Sequence, residues 1–389
     1  LKTEAAAPNR TSWCGLARLL LMVSGFVFLA GAGGVLAGTL GITDEVEEVF
    51  QFSLEPSSLS AAPGGDWIVG LSQRERPIQR AVRLTKAGEV IPFPTQADTT
   101  ASPGALLPLD AVEAVKVGTD GVIWLLDNGR RTETVPRLIA WEVSKNRLHR
   151  ILPLTAPAVK PGSFCAALAL DPAAPFAYVA DPASDQDAAL VVVNLTTGLA
   201  RRVLEGVVMV TPDPEAVIHP GTASVHQVTR IDGTSYLPHS GLHSLAMDRK
   251  GEWLYFAALR ARAVYRVKAS MLRDFGASEE TLLKGVEQYA EIPPASSLAM
   301  DSKGNLYLGD VNARGIGMVE SRGRAYSVLV ADARLLWPNG LAFGNDGRLY
   351  FFSPRRQTTP PQSTLPGPAA RPSSSLFRIR TPASGRAGD

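Results

Sequence analysis

Glu113, His243 and Asn339, an acid, an imidazole and an amide, occupy corresponding places in successive copies of one hairpin. The other three copies put Ser57, Ala166 and Ser296 there. Each of the six stands two residues before the leading apolar residue of its strand, so a ring of such strands would turn all six toward its centre. An acid and an amide supply the oxygen ligands that Ca²⁺ accepts, so Glu113 and Asn339, with water, are candidate metal ligands. An ion held there would polarise a substrate carbonyl. Alternatively, His243 beside Glu113 could act as a general base, or could bind an anionic or phenolic ligand. The second strand of the hairpin ends on Asp127, Asp181, Asp310 or Ser353. That brings the three aspartates toward the same rim as candidate ligand-binding groups, alongside Ser57, Ser296 and Asn339.

A blander chemistry competes at each position. Repeated aspartates at strand ends also cap turns by accepting backbone amide protons. Asn339 follows Pro338 and could be turn chemistry. His243 could be a hydrogen-bonded channel histidine. His219, His226 and His239 are spaced too irregularly for a zinc motif. No Gly-x-Ser-x-Gly elbow, phosphate-cradling glycine loop or Cys–His pair is present, which disfavours serine hydrolases, nucleotide enzymes and thiol enzymes.

The elements that must position these groups are legible as repeats. LAMDSKGNLYLGD (Leu298–Asp310) reads as strand, tight turn and strand, with Gly304 at the turn position that needs positive φ. LAFGNDGRLYFFS (Leu341–Ser353) and LAMDRKGEWLYFAA (Leu245–Ala258) are close copies. VKVGTDGVIWLLD (Val115–Asp127) and LALDPAAPFAYVAD (Leu168–Asp181) are looser, and LSAAPGGDWIVGLS (Leu59–Ser72) is the most divergent. Copies mostly about 45–55 residues apart are the period of four-stranded propeller blades. The expected fold class is all-β, a six-bladed β-propeller preceded by an N-terminal hydrophobic helix. Trp67, Trp124, Trp141, Trp253 and Trp337 recur near the repeat strands and are expected to pack blades rather than cage a ligand.

Composition agrees. Apolar content of 45% rules out disorder, so 35 glycines and 29 prolines point to many turns. Lys plus Arg (39) nearly balances Asp plus Glu (37), and no basic stripe appears, so nucleic acid is not an expected partner. The two cysteines, Cys14 and Cys165, are too far apart in the pattern to pair and fit no zinc site.

Along the chain, residues 1–18 are polar with Lys2, Arg10 and Arg18, and are expected to stay cytoplasmic. Residues 19–42 carry no charge and read as a cleaved signal peptide or an uncleaved membrane anchor. Export follows from both. Residues 43–389 form the propeller, expected as a monomer whose partner is a small molecule. Val46–Ser53 has no hairpin partner of its own and is expected to join the last blade and close the ring. Ser278–Ala290 has helical spacing. Residues 357–375, rich in Pro and Ser, form a loop inside the last blade, and the tail beyond Thr381 is expected to fray.

Taken in order, GVIWLLDNG with PRLIAWE (Gly121–Glu142), FAYVAD with LVVVNLTTGLARRV (Phe176–Val203), EWLYF with AVYRV (Glu252–Val267), Ser297–Leu308, LWPNGLAFGNDGRLY (Leu336–Tyr350) and SLFRIR resemble the major royal jelly protein/yellow family. The resemblance runs across nearly all of residues 53–380. It implies a six-bladed, usually exported propeller whose relatives convert dopachrome, bind biogenic amines or have no assigned role. The fold is also similar to gluconolactonase/regucalcin and strictosidine synthase-like propellers. WPNG resembles the segment in which gluconolactonase-like propellers present a metal-binding Asn, which singles out Asn339. Ala166 and Ser296 depart from those propellers, which carry Asn or Asp there. The resemblance thus implies a small-molecule site at the channel mouth, with lactone hydrolysis or dopachrome-type isomerisation as the enzymatic alternatives.

Overall fold

In the computed structural model, every hairpin gains a second hairpin and becomes a four-stranded antiparallel sheet, and six such sheets close into a ring. The structure describes residues 43–387 except 73–76, 95–108, 130–133, 184, 220–227, 230–234, 237–238 and 356–372. Blade 1 is built from Pro56–Ala61, Trp67–Leu71, Ala81–Leu84 and Val90–Pro92. Blade 2 takes Val112–Val117, Val122–Asp127, Arg137–Glu142 and Arg147–Pro153. Blade 3 takes Ala167–Leu170, Phe176–Asp181, Ala189–Asn194 and Ala200–Val203. Blade 4 takes Leu242–Met247, Trp253–Ala258, Ala263–Lys268 and Glu287–Glu291. Blade 5 takes Ala295–Met300, Leu306–Asp310, Gly315–Val319 and Tyr326–Ala331. Blade 6 takes Asn339–Phe343, Leu349–Pro354 and Ser374–Ile379, and its outer strand comes from the other end of the chain, Glu47–Phe52.

The turn that defines the repeat is made by its aspartate. In blade 5, Asp301 accepts from the amides of Lys303 (2.8 Å) and Asn305 (2.9 Å), while Gly304 takes φ +81° to complete the reversal. The second carboxylate oxygen accepts from the Tyr307 hydroxyl at 2.9 Å. Asp171 with Tyr178 and Asp346 with Tyr350 repeat this bond in blades 3 and 6. A buried tyrosine needs such a partner, so each turn satisfies its own blade's aromatic residue.

Alternation along the strands puts apolar side chains on both faces of each sheet. Among the described residues they collect in six seams, one between each pair of neighbouring blades, and a small group around Trp337. Tyr178, Phe256, Tyr307, Phe343 and Phe351 are fully buried there. Each blade thus covers its neighbours' apolar faces and none is stable alone.

Three expectations change. A hydrophobic helix ahead of the propeller is withdrawn from the fold class, and with it a membrane span: no helix among the described residues is long and apolar enough to cross a membrane. Residues 1–42, which include the expected cytoplasmic segment and the 19–42 signal peptide or anchor, lie outside the described residues, as do 356–372 of the expected Pro/Ser-rich loop. The helix expected over Ser278–Ala290 is shorter. It runs Glu279–Lys284 (α2, after α1 at Ala269–Arg273), capped by Ser278, whose hydroxyl accepts the Thr281 amide at 3.2 Å. Gly285 ends it, and Glu287–Glu291 joins blade 4 as its outer strand. The tail beyond Thr381 is packed rather than frayed: the Ser384 carbonyl accepts the Ser302 amide at 3.1 Å, and Ala387 sits against the seam between blades 6 and 1.

Candidate functional site

The inner strands would place every other side chain between blades, not into the channel. A break in register changes this. The pairing of inner with second strand skips between Pro56 and Ser58, between Val112 and Ala114, and between Leu242 and Ser244. It is irregular between Ala295 and Leu298 and between Asn339 and Ala342. The residues at or beside these breaks are Ser57, Glu113, His243, Ser296 and Asn339. A bulge locally re-aims a side chain, and here it does so in five blades of six. With Ala166, the five line a single small chamber of about 70 Å³ in the channel.

Glu113, His243 and Asn339, the polar groups singled out for chemistry, therefore meet around one cavity. Ser57 and Ser296 also line it, but their hydroxyls donate elsewhere. Ser57 bonds the Val112 carbonyl at 2.8 Å, and Ser296 bonds the Pro338 carbonyl. Ser244 bonds the Ala295 carbonyl at 3.5 Å in the same manner. In each case a hydroxyl from one blade holds the peptide just ahead of the next blade's ring residue. Ser57 thereby fixes the approach to Glu113, and Ser296 the approach to Asn339.

Close approach makes this possible. A Cβ on Gly309 would lie 2.3 Å from the Pro338 carbonyl oxygen and 2.4 Å from Ser296 Oγ. Gly70, one residue before the end of the matching strand in blade 1, faces Ser57 and Ser58 in the same way. Gly309→Ala is expected to destabilise the protein by about 1–3 kcal/mol and to displace Asn339. Denaturant unfolding checks the first effect. For the second, Gly309→Ala and Asn339→Ala should weaken ligand binding alike, and wild-type affinity in Gly309→Ala would contradict the account.

Among the ring residues His243 is held against its ordinary protonation. Its ring keeps some contact with the channel but is walled by protein, and its buried Nδ1 has no hydrogen-bond partner. Burial, aided by the nearby His239, pushes its pKa down to about 4 against a smaller opposing effect of the Ser296 backbone. The imidazole is therefore neutral at physiological pH.

The aspartates lie elsewhere. Asp127, fully buried, accepts from the amides of Asp110 (3.1 Å), Ala111 (2.7 Å) and Gly129 (3.2 Å) and pairs with Arg137 at 2.9 Å. Asp181 accepts from Phe164 (2.8 Å) and Ala183 (2.9 Å) and pairs with Arg202 at 2.6 Å. Asp310 accepts from the Ala313 amide at 2.8 Å and from the Tyr326 hydroxyl. Ser353 accepts from Trp337 N at 3.0 Å. None of the four lines the chamber, and all tie down loops at the rim.

His239, weighed above only as a zinc ligand, and Phe164, which no motif marks, lie close to the ring residues. Their rings stack with centroids 4.2 Å apart and planes within 10°. His239 holds φ +54° and its Nδ1 lies 2.7 Å from the Ala183 carbonyl oxygen. Phe164 lies two residues before Ala166 of the ring with its amide held by Asp181, and His239 lies near enough to His243 to act on its charge.

The donor set does not fit calcium. The chamber offers one carboxylate and one amide, Ala166 has no donor, and both ring serine hydroxyls serve carbonyls, whereas Ca²⁺ takes 6–8 oxygens. Among the described residues no group of three or more His, Cys, Asp or Glu could hold a metal.

A channel chamber ringed by six inner strands defines a six-bladed propeller with its polar site on the axis. Residues 111–362 match the major royal jelly protein family, and the chain belongs to that family. No curated protein matches it. Among solved structures it is similar to a luciferin-regenerating enzyme, with 10% identity over 88% of this chain and 97% of that one and a TM-score of 0.54. It is similar to a calcium-binding regucalcin from Agrobacterium tumefaciens, with 10% identity over 88% and 96% and a TM-score of 0.53. A putative gluconolactonase gives 13% identity over 89% and 95% with a TM-score of 0.50. At these identities the likeness is one of fold. Membership of the family is in keeping with an exported protein in general terms.

Proposed function

We propose that the protein binds a small molecule whose polar head enters the chamber between Glu113, His243 and Asn339. The observation that carries this reading is the meeting of a carboxylate, an imidazole and an amide around one cavity, with the His243 Nδ1 buried and without a hydrogen-bond partner. Leaving a buried polar atom unpaired costs roughly 1–3 kcal/mol, which a turn of the ring toward a ligand would recover. At about 70 Å³ the chamber has room for a head group and not for a whole ligand, since one water takes ~30 Å³. The remainder of the molecule lies in the mouth, where the flat Phe164–His239 stack suits an aromatic body. Glu113 beside a neutral imidazole favours a protonated amine or hydroxyl over an anion. Outside the cytoplasm, as a monomer, is where we place this activity, on the charge order of residues 1–48 and the family.

Calorimetry with aromatic monoamines and phenols tests the reading. His243→Ala and Glu113→Gln are each expected to weaken binding at least tenfold, while a chelator leaves it unchanged. Wild-type affinity in both variants would end the proposal. Loss of binding with chelator, together with bound Ca²⁺ by elemental analysis and lactone turnover, would favour the metal-assisted hydrolase instead. Turnover of dopachrome without metal would favour the isomerase.

A further inference from the structure

The chamber is not the largest cavity of the channel. At the other end of the inner strands, where the blade turns lie, a vestibule of about 710 Å³ opens between blades 2, 3 and 4. Lys116, Leu245 and Leu298 line both spaces, so the chamber and the vestibule adjoin along the axis. A volume within roughly 300–1,000 Å³ is that of a small-molecule pocket. Its lining includes the apolar Trp124, Leu170 and Leu298 and the cationic Lys116, Arg150 and Arg386.

The carboxylates of this vestibule are each held by their own turns. Asp171 accepts from the amides of Ala173 and Ala174 and from the Tyr178 hydroxyl, and stands 3.5 Å from Arg273. Asp248 accepts three amides, those of Lys250, Glu252 and Trp253. Asp120 accepts from Val122. Arg150 by contrast reaches from blade 2 across to the Leu195 and Thr196 carbonyls of blade 3. Carbonyl partners hold a guanidinium in place without neutralising it, so its positive charge remains at the rim in a fixed position. An apolar wall beside a fixed guanidinium suits a molecule of the opposite kind to the ligand proposed for the chamber.

We propose that this vestibule is a second binding site, taking an anion with a flat apolar body, of the aromatic carboxylate or sulfonate class. The anion lies toward Arg150, and its ring system lies against Trp124 and Leu170. The tail, whose Arg386 and Ala387 form one wall, encloses it on the side of blade 6.

The probe is 1-anilinonaphthalene-8-sulfonate, titrated by fluorescence and calorimetry against the full chain, with its sulfonate-free parent as the neutral control. One saturable site is expected, at least tenfold weaker for the neutral parent. Thr196→Trp, at an exposed turn on the vestibule's edge, is expected to weaken the sulfonate at least tenfold while leaving amine binding at the chamber as it was. Arg150→Glu should do the same through charge, with circular dichroism checking the fold of both variants. Unsaturable binding, equal affinity for the neutral parent, or wild-type affinity in Thr196→Trp would overturn the proposal.

Discussion

Asp181→Ala is expected to cost about 3–5 kcal/mol of stability, the penalty of removing one partner from a buried ion pair. Asp181 is fully buried and Arg202 beside it is 5% exposed, so the guanidinium left behind has little access to water. Two further amides, those of Phe164 and Ala183, lose their acceptor in the same step. Glu205 still pairs with Arg202 at 3.0 Å, which places the effect toward the lower end. The measurement is urea unfolding of Asp181→Ala, Arg202→Met and the double variant. The double variant should recover part of the loss, because the orphaned charge is gone. A single-variant loss below about 1 kcal/mol would show that the pair is not buried as described. Since Asp181 holds Phe164, the same variant should also weaken any ligand that relies on the Phe164–His239 stack.

The second large effect is on pH. In the unfolded chain His243 takes up a proton near pH 6.5, and in the folded protein only near pH 4. Between those values the unfolded state binds more protons, so stability falls as pH drops from about 6.5 to about 4 and then levels off. The shift corresponds to about 3 kcal/mol as an upper bound. His243→Gln should remove this slope, leaving the unfolding free energy of the variant nearly flat across the window. Glu47 and Asp213, lowered by their bonds to Arg378 and Arg262, lose their contribution from their unfolded values of 4.5 and 3.8 downward. The His243 slope is therefore read in the upper part of the window, before those carboxylates titrate. An identical slope in wild type and variant would show that His243 titrates freely.

The blades were readable because a hairpin's chemistry is local. Asp301, Gly304 and the alternating residues around them lie within a dozen positions, and the same pattern returns six times. The ring was readable for the same reason: equal register puts Ser57, Glu113, Ala166, His243, Ser296 and Asn339 at equal depth. What made those residues face the channel was not readable. A bulge is a relation between two strands, and no residue type at Glu113 or His243 announces it. The aspartates show the opposite failure. Asp127, Asp181 and Asp310 do rise to the rim, but the groups that claim them, Arg137, Arg202 and Tyr326, stand on other strands. His239 was set aside because it lay in an irregular segment, and its partner Phe164 is remote in sequence. The tail past Thr381 was expected to fray as a chain end, yet a backbone bond to the blade 5 turn holds it.

The outer strand of blade 6, Glu47–Phe52, has consequences beyond architecture. It waits through nearly the entire length of the chain for Ser374–Ile379, and the Arg378–Glu47 bonds that seal it join residues 331 positions apart. Until that latch engages, Ser57 and Asn339 have no reason to be neighbours, and two raw sheet edges stay open to other chains. The binding proposed for the chamber would consequently be a late-arriving property, acquired only when synthesis has run to its last blade. A molecule shed early by the ribosome, or clipped near either end of the propeller, holds five good sheets and no closed chamber.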